Sequence, residues 1–190
     1  TSEPGTVVTN GMSSYARAES NANAGFMVDV KPEDFPANDV LGGIRFQREL
    51  ERKAYVQGGS NYHAPAQLVE DFLKKQASTG QGKVKPSYEP GVKWGNLHEL
   101  LPDYVCETLM QSIPLIDKQL RGFALADAVM TGAETRSSSP VRIPRDPKTC
   151  ECVSVKNFLP AGEGAGYAGG IISAAVDGMR VAEILIREAV

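Results

Sequence analysis

Gly162, Gly164, Gly166, Gly169 and Gly170 crowd one short stretch of "LPAGEGAGYAGGIISAAVDGMR" (159–180), between an apolar segment and an apolar helical pattern. Glycine lets a backbone take positive φ, or approach another group without a Cβ clash. The stretch is therefore a tight turn that opens a helix near Gly170 or Ile171. The unpaired amides of such a helix start carry a partial positive charge suited to phosphate or to an electron-rich oxygen. Gly164, Gly166 and Gly169 stand in the order of a dinucleotide-binding fingerprint. That fingerprint, however, needs a following strand and an acidic residue about 20 residues on, and this sequence reaches Val190 first. Two readings stay open: a ligand-binding turn, or a packing turn whose glycines only allow close helix–strand contact.

The helix after the turn sharpens the question. Ser173, Asp177, Arg180 and Arg187 form a narrow polar stripe, while Ile172, Ala175, Val176, Met179, Ala182, Ile184, Leu185 and Ile186 fill most of the remaining circumference. Such a helix expects protein on more than one side, and self-association where that protein is missing. The sequence also lacks an initial Met and enters a β-like segment almost at once. The expectation is a numbering that begins inside a longer protein.

With 42% hydrophobic residues in 190, the chain has the means to bury a core. A net charge of −3, with basic residues scattered among acidic ones as in "RELERK" (48–53), gives no footprint for nucleic acid. Three cysteines, Cys106, Cys150 and Cys152, are not a secreted disulfide framework. His63 and His98 stand apart from the Cys150–Cys152 pair, so no metal site is expected. No apolar stretch is long enough to span a bilayer and no leader pattern opens the sequence, so the expected compartment is the cytoplasm.

Along the chain, "GTVVTNGM" (5–12) and "AGFMVDVKP" (24–32) read as two strands, the second by its alternation of Phe26, Val28 and Val30 with Met27 and Asp29. From an N-cap at Asn38 or Asp39, Phe46, Leu50 and Ala54 recur at four-residue steps and Gly58-Gly59 supplies a stop, which predicts a helix. "HAPAQLVEDFLKKQAS" (63–78) reads as a second helix with Pro65 in its first turn, and 78–95 as an exposed loop. A further helix follows Pro102, with Val105, Leu109 and Ile113 on one face, ended or kinked by Pro114; a short one closes at Gly122. After Phe123 the sequence reads as several short strands, the last at 158–161. The fold class is α+β: a mixed sheet with a helical block over 38–122.

Other constellations are weaker. Arg136, Arg142 and Arg145 surround three serines in "TRSSSPVRIPR", a composition suited to anchoring a carboxylate or phosphate, or equally to a hairpin with solvated arginines. Asn10, Arg17, Asn21 and Asn23 either grip a polar ligand or make turns. His63, beside Tyr62 at a segment start, is a candidate proton donor or a structural histidine. The weak catalytic candidates are thus His63, Arg136 and Arg142. No nucleophile-elbow, P-loop, zincin or Cys-x-x-Cys pattern occurs.

"NFLPAGEGAGYAGGIISAAVDGMRVAEIL" resembles the C-terminal flavin-contacting segment of two-dinucleotide-binding-domain flavoproteins. More narrowly, "VVTNGMSSYARAESNANAGFMVDV", "GGIRFQRELERKAYVQGGSNYHAPAQLVEDF", "HELLPDYV" and "GAETRSSSPVRIPRD" are similar to bacterial FAD-dependent dehydrogenases of the NAD-utilizing type. The resemblance implies an inserted substrate-type domain at 1–135, and a C-terminal part at 136–190 whose strands, glycine loop and helix complete an FAD site. It implies a partner, an upstream FAD-binding Rossmann half before Thr1, together with a small-molecule substrate and NAD(P) as possible electron donor. On this resemblance the cofactor-contacting residues are Gly162, Glu163, Gly164, Gly166, Tyr167, Gly169, Gly170 and Ile171. Glu163 would bind a ribityl hydroxyl, and the amides around Gly169 to Ile171 would face the flavin's pyrimidine edge. Alone, the segment would neither hold FAD tightly nor turn over. The competing expectation is a non-catalytic interaction domain whose glycine loop is purely structural.

Overall fold

The computed structural model describes residues 2–35 and 39–188; Asn38, one of the two expected N-caps, lies outside them. The fold is α+β, and the chain divides into two compact units, one of residues 1–31 and 47–135, the other of 32–46 and 136–190.

The first unit is built on a three-stranded mixed sheet in the order β2-β1-β3: β1 (Ala64–Leu68), β2 (Val92–Trp94) and β3 (Val129–Thr131). Strand β1 is central. It runs parallel to β2, with Ala64 opposite Val92 and Ala66 opposite Trp94, and antiparallel to β3, with Ala66 opposite Thr131 and Leu68 opposite Val129. The expected helix over 63–78 is therefore mostly wrong: its first half is this strand, and only Val69–Leu73 is helical (α2). Ala64, Pro65, Ala66 and Gln67 are all buried, and a short run covered on both faces carries no alternation to tell strand from helix. Pro65 is tolerated because it stands one residue past the last register pair with β3, where its carbonyl still accepts from the Gly132 amide at 2.9 Å. Gln67 is fully buried, yet its Oε1 accepts from the Leu97 amide (2.7 Å) and its Nε2 donates to Gln76 O (2.6 Å), so its burial leaves no orphan.

Helix α3 (Asp103–Gln119) follows Pro102 and buries Cys106, Leu109 and Ile113 against Phe72, Leu97 and Ala54 in the core. It does not end at Pro114, which sits inside it on the solvent side and merges the two expected helices into one. The Asp117 carboxylate closes the far end by accepting from the Gly122 and Ala124 amides, each at 2.9 Å. The long loop after α2 is less open than expected, since it contains β2.

Helix α1 (Gly42–Gln57) starts later than the sequence predicted: Asp39 instead forms a turn, accepting from the Leu41 amide (3.1 Å) and pairing with Arg45. Its stop is the expected one, with Gly59 at φ +101°. Leu50 and Ala54 are buried as the four-residue steps require.

Neither 5–12 nor 24–32 forms a strand. Val7 is fully buried and its amide bonds Glu51 O, but no ladder develops. Phe26 and Val28 do face the core, Phe26 edge-on to Phe123 at 5.4 Å, so the alternation reported burial without a strand partner. In the second unit the expected strands are reduced to a single bridge, Arg145 to Cys152, and 158–161 is not a strand. Helix α4 (Ile171–Glu188) begins where the glycines predicted.

Candidate functional site

The glycine turn belongs to the second unit and closes on itself through two backbone bonds, Gly166 N to Glu163 O (2.8 Å) and Tyr167 N to Gly162 O (3.0 Å). Gly162 (φ +71°) and Gly166 (φ +80°) take the positive torsions that the shape demands. Gly166 is also needed for space: a Cβ there would lie 2.7 Å from Val141 O and 3.0 Å from Arg142 Cα. The turn thus rests on the segment 139–145, to which it is tied by Ile143 N to Ala165 O (3.1 Å) and Ser139 Oγ to Gly164 O (3.2 Å).

Its other rim is open. A Cβ on Gly164 would meet nothing within 4 Å, and one on Gly170 only the hydroxyl of Ser173. Among the described residues the amides of Gly164, Gly169, Gly170, Ile171, Ile172 and Ser173 have no acceptor; the first helical bond is Ala174 N to Gly170 O. Glu163 and Gly169 are exposed, and Ile171 and Ile172 beside them are 89% and 76% exposed. The turn therefore offers backbone donors at the positive end of an 18-residue helix, next to two bare aliphatic side chains.

Beneath the turn lies a group that the sequence reading missed. Arg145 and Asp177, with side chains only 4% and 11% exposed, form a bidentate ion pair. Arg145 Nη1 also donates to Pro160 O (2.6 Å), and Asp177 Oδ2 also accepts from the Gly162 amide (2.8 Å). The Arg145 guanidinium holds the Asp177 carboxyl below its ordinary range, helped by the Gly162 amide, and Asp177 in turn raises Arg145. Tyr167 completes the group: its hydroxyl donates to Ile143 O and accepts from the Arg145 amide, while the guanidinium carbons of Arg145 and Arg142 stand 3.7 and 4.3 Å from its ring centre.

These contacts sort the expected site residues. Gly162, Gly166 and Tyr167 have their polar groups or their space taken up inside the unit, whereas Glu163, Gly164, Gly169, Gly170 and Ile171 line the open rim. Arg142 is exposed and stacked on Tyr167, and Arg136 has an interaction of its own. Arg145 is no free anion anchor, and Asp177 does not belong to a solvent-facing stripe. The signal for that was present: Asp177 shares its helix side with Ala174, Gly178 and Val181, and a lone carboxylate in a stripe of small and apolar residues needs a buried cation.

His63 belongs to the first unit, where its ring packs beside Gly91 and its amide bonds Asn61 Oδ1. Asn21 and Asn23 spend their side-chain amides on Lys85 O and Met12 O. All three cysteines are free and buried, and no group of three His, Cys, Asp or Glu suited to a metal occurs among the described residues. No described helix is long and apolar enough to cross a membrane.

Two comparisons bear on what such a turn serves. Residues 1–137 match a family described as "FAD-dependent protein, C-terminal domain-like". A protein of Clostridium beijerinckii, itself named only as uncharacterized, is 51% identical over 187 residues, which is 98% of this chain. The chain spans 35% of that relative's length. The family match ends two residues past the unit boundary at Thr135, so the glycine turn and α4 lie beyond it.

Proposed function

Because the chain belongs to the family of FAD-dependent proteins, C-terminal domain-like, we propose that it is the part of a bacterial FAD-dependent dehydrogenase that closes one side of the flavin. The observation that carries this reading is the open rim of the glycine turn. Unpaired backbone donors at a helix start suit the electron-rich pyrimidine edge of a flavin, and Ile171 and Ile172 give an aromatic ring an apolar surface to lie on. The residues present therefore fit the group. Flavin, when bound, would itself be the acceptor of the hydride given up by an organic substrate or a reduced nicotinamide.

The chain's own residues have narrower tasks. The amides of Gly169, Gly170 and Ile171 stabilise negative charge at the pyrimidine edge. Glu163, exposed on the rim, accepts from a ribityl hydroxyl, and Gly164 lets the ligand approach without a side chain in the way. Gly162, Gly166 and Tyr167 shape the turn from behind. The ADP end of the cofactor is held by a separate FAD-binding part of the longer protein.

The test is direct. The full-length C. beijerinckii relative, or the longer polypeptide that contains this chain, is expected to purify yellow with flavin absorbance. Replacing the residue equivalent to Gly164 by Val should empty it of FAD while leaving the melting temperature of the FAD-free protein unchanged. A protein that stays colourless after incubation with FAD overturns the reading. Anaerobic addition of NADH or NADPH should then bleach the flavin; failure with both removes only the nicotinamide. The rival reading, a purely structural turn, draws on the tight fit of Gly166 against Val141, and predicts that Gly164→Val leaves FAD content untouched.

A further inference from the structure

We infer that the buried Arg145–Asp177 pair is the positioning element of the glycine turn, fixing both of its ends in the one shape that leaves its amide rim open to a flavin. The inference rests on the flavin reading above and names the residues behind the rim.

The segment entering the turn has no strand partner, so nothing regular holds its backbone. Three bonds stand in for a ladder at alternate residues: Phe158 O accepts from the Cys152 amide (2.7 Å), Pro160 O from Arg145 Nη1 (2.6 Å), and Gly162 N donates to Asp177 Oδ2 (2.8 Å). Two of the three are made by the ion pair. The exit is held by the same arginine, through its amide to Tyr167 Oη (3.0 Å) and its guanidinium over the Tyr167 ring. Arg145 thus touches the turn at residues 160 and 167, and Asp177 links it to α4, six residues after Ile171 at the helix start.

A pair serving stability alone does not need this arrangement, because apolar residues of similar volume commonly replace a buried ion pair without loss. What they cannot replace is the acceptor for Gly162 N and the donor to Pro160 O. Arginine's planar fork serves two acceptors at fixed angles, which lysine does not reproduce. Arg145 and Asp177 touch no part of the proposed ligand; they act through the turn.

The discriminating variant is the double replacement Arg145→Met with Asp177→Leu, read in the full-length protein with FAD as the probe and in parallel by amide hydrogen exchange without FAD. The expected result is a cooperative melt of the FAD-free protein at a temperature modestly lowered by the two unreplaced bonds, exchange of amides 161–170 at least tenfold faster, exchange in α3 unchanged, and FAD binding at least tenfold weaker, with a shifted flavin absorbance spectrum for what remains bound. Arg145→Lys, which keeps the charge and loses the fork, should fall between; it also serves if the double variant does not fold. Wild-type FAD affinity and spectrum in a folded variant, whether or not the turn exchanges faster, overturn the inference. A wild-type protein that binds no FAD is a different failure: it sinks the flavin reading and this inference with it, while the exchange data still report whether the pair holds the turn.

Discussion

Gly166 and Gly164 stand two residues apart and answer to different forces. Gly166 combines φ +80° with a Cβ position 2.7 Å from a carbonyl oxygen that belongs to the backbone. Gly166→Ala therefore meets the left-handed penalty of roughly 1–2 kcal/mol and a clash that no side chain can relieve. We expect a loss of about 2 kcal/mol or more, and a melting temperature lower by about 4–8 °C on the scale for chains of this size. Gly164→Ala meets open space and should leave thermal stability within about 0.5 kcal/mol; equal losses at both would mean that the rim is packed. Asp177 supplies a second residue-scale test. Its carboxyl is held below the ordinary 3.8 first by the hydrogen bond from Arg145, so the folded state binds a proton less readily than the unfolded chain does. Its contribution to stability is then full above the ordinary value and is lost as pH falls through the lowered one. The gap in melting temperature between wild type and Asp177→Asn should stay constant from pH 7 to 5 and narrow below about 4. A gap that persists in acid would show that Asp177 acts by shape and not by charge.

At the scale of elements, the sequence was legible wherever one period ran long. The stripes of α1, α3 and α4 all became helices, and the glycine cluster marked the start of α4 within one residue. It was illegible where burial is two-sided or partners are distant. Ala64–Gln67 is buried throughout, so no face could be read from it, and only the pairing with β2 and β3 made it a strand. The segments 5–12 and 24–32 have strand-like sequences, but no neighbour completes a ladder, which local propensity cannot foresee. The same limit hid the Arg145–Asp177 pair: its members lie 32 residues apart, and charged side chains are read as solvated by default. The proline in α3 misled for another reason. Pro114 faces solvent and breaks no packing, so the helix absorbs the missing hydrogen bond because Ile113 on one side and Gln119 beyond it are already committed to the helical path. Pro114→Ala should restore that bond without disturbing the core. Set against a propensity difference of about 3 kcal/mol, less the roughly 1 kcal/mol returned by a more flexible unfolded chain, the expected gain is about 2 kcal/mol in denaturant melts. A loss would show that the proline ring helps to seat Ile113.

At the scale of the molecule, the two units differ in how completely they bury themselves. The first gathers Val7, Phe72, Leu97, Leu109 and Ile113 into one core. The second buries few apolar side chains, among them Cys150, Cys152, Ala165 and Val181, and its longest element is bare along one side. On α4, Ala174, Gly178 and Val181 turn inward with Asp177, whereas Ile171, Ile172, Val176, Met179 and Ile186 are all more than half exposed. Successive side chains in a helix are 100° apart, so Ile172, Ala175, Met179, Ala182 and Ile186 line one continuous stripe. A soluble surface rarely leaves such a stripe uncovered, and in the proposed parent it is covered by the FAD-binding part of the same polypeptide. The chain studied by itself should therefore bind an apolar dye and sediment with a concentration-dependent mass. Ile172→Glu with Met179→Lys should abolish both at an unchanged melting temperature, because neither side chain contributes to the core of its own unit. In the longer protein Met179→Lys with Ile186→Glu, which spares Ile172 beside the flavin, should act in the opposite sense, opening the joint and releasing flavin. A chain that stays monomeric and dye-free before any substitution would mean that the stripe needs no cover, and the proposed assembly would lose its main physical reason.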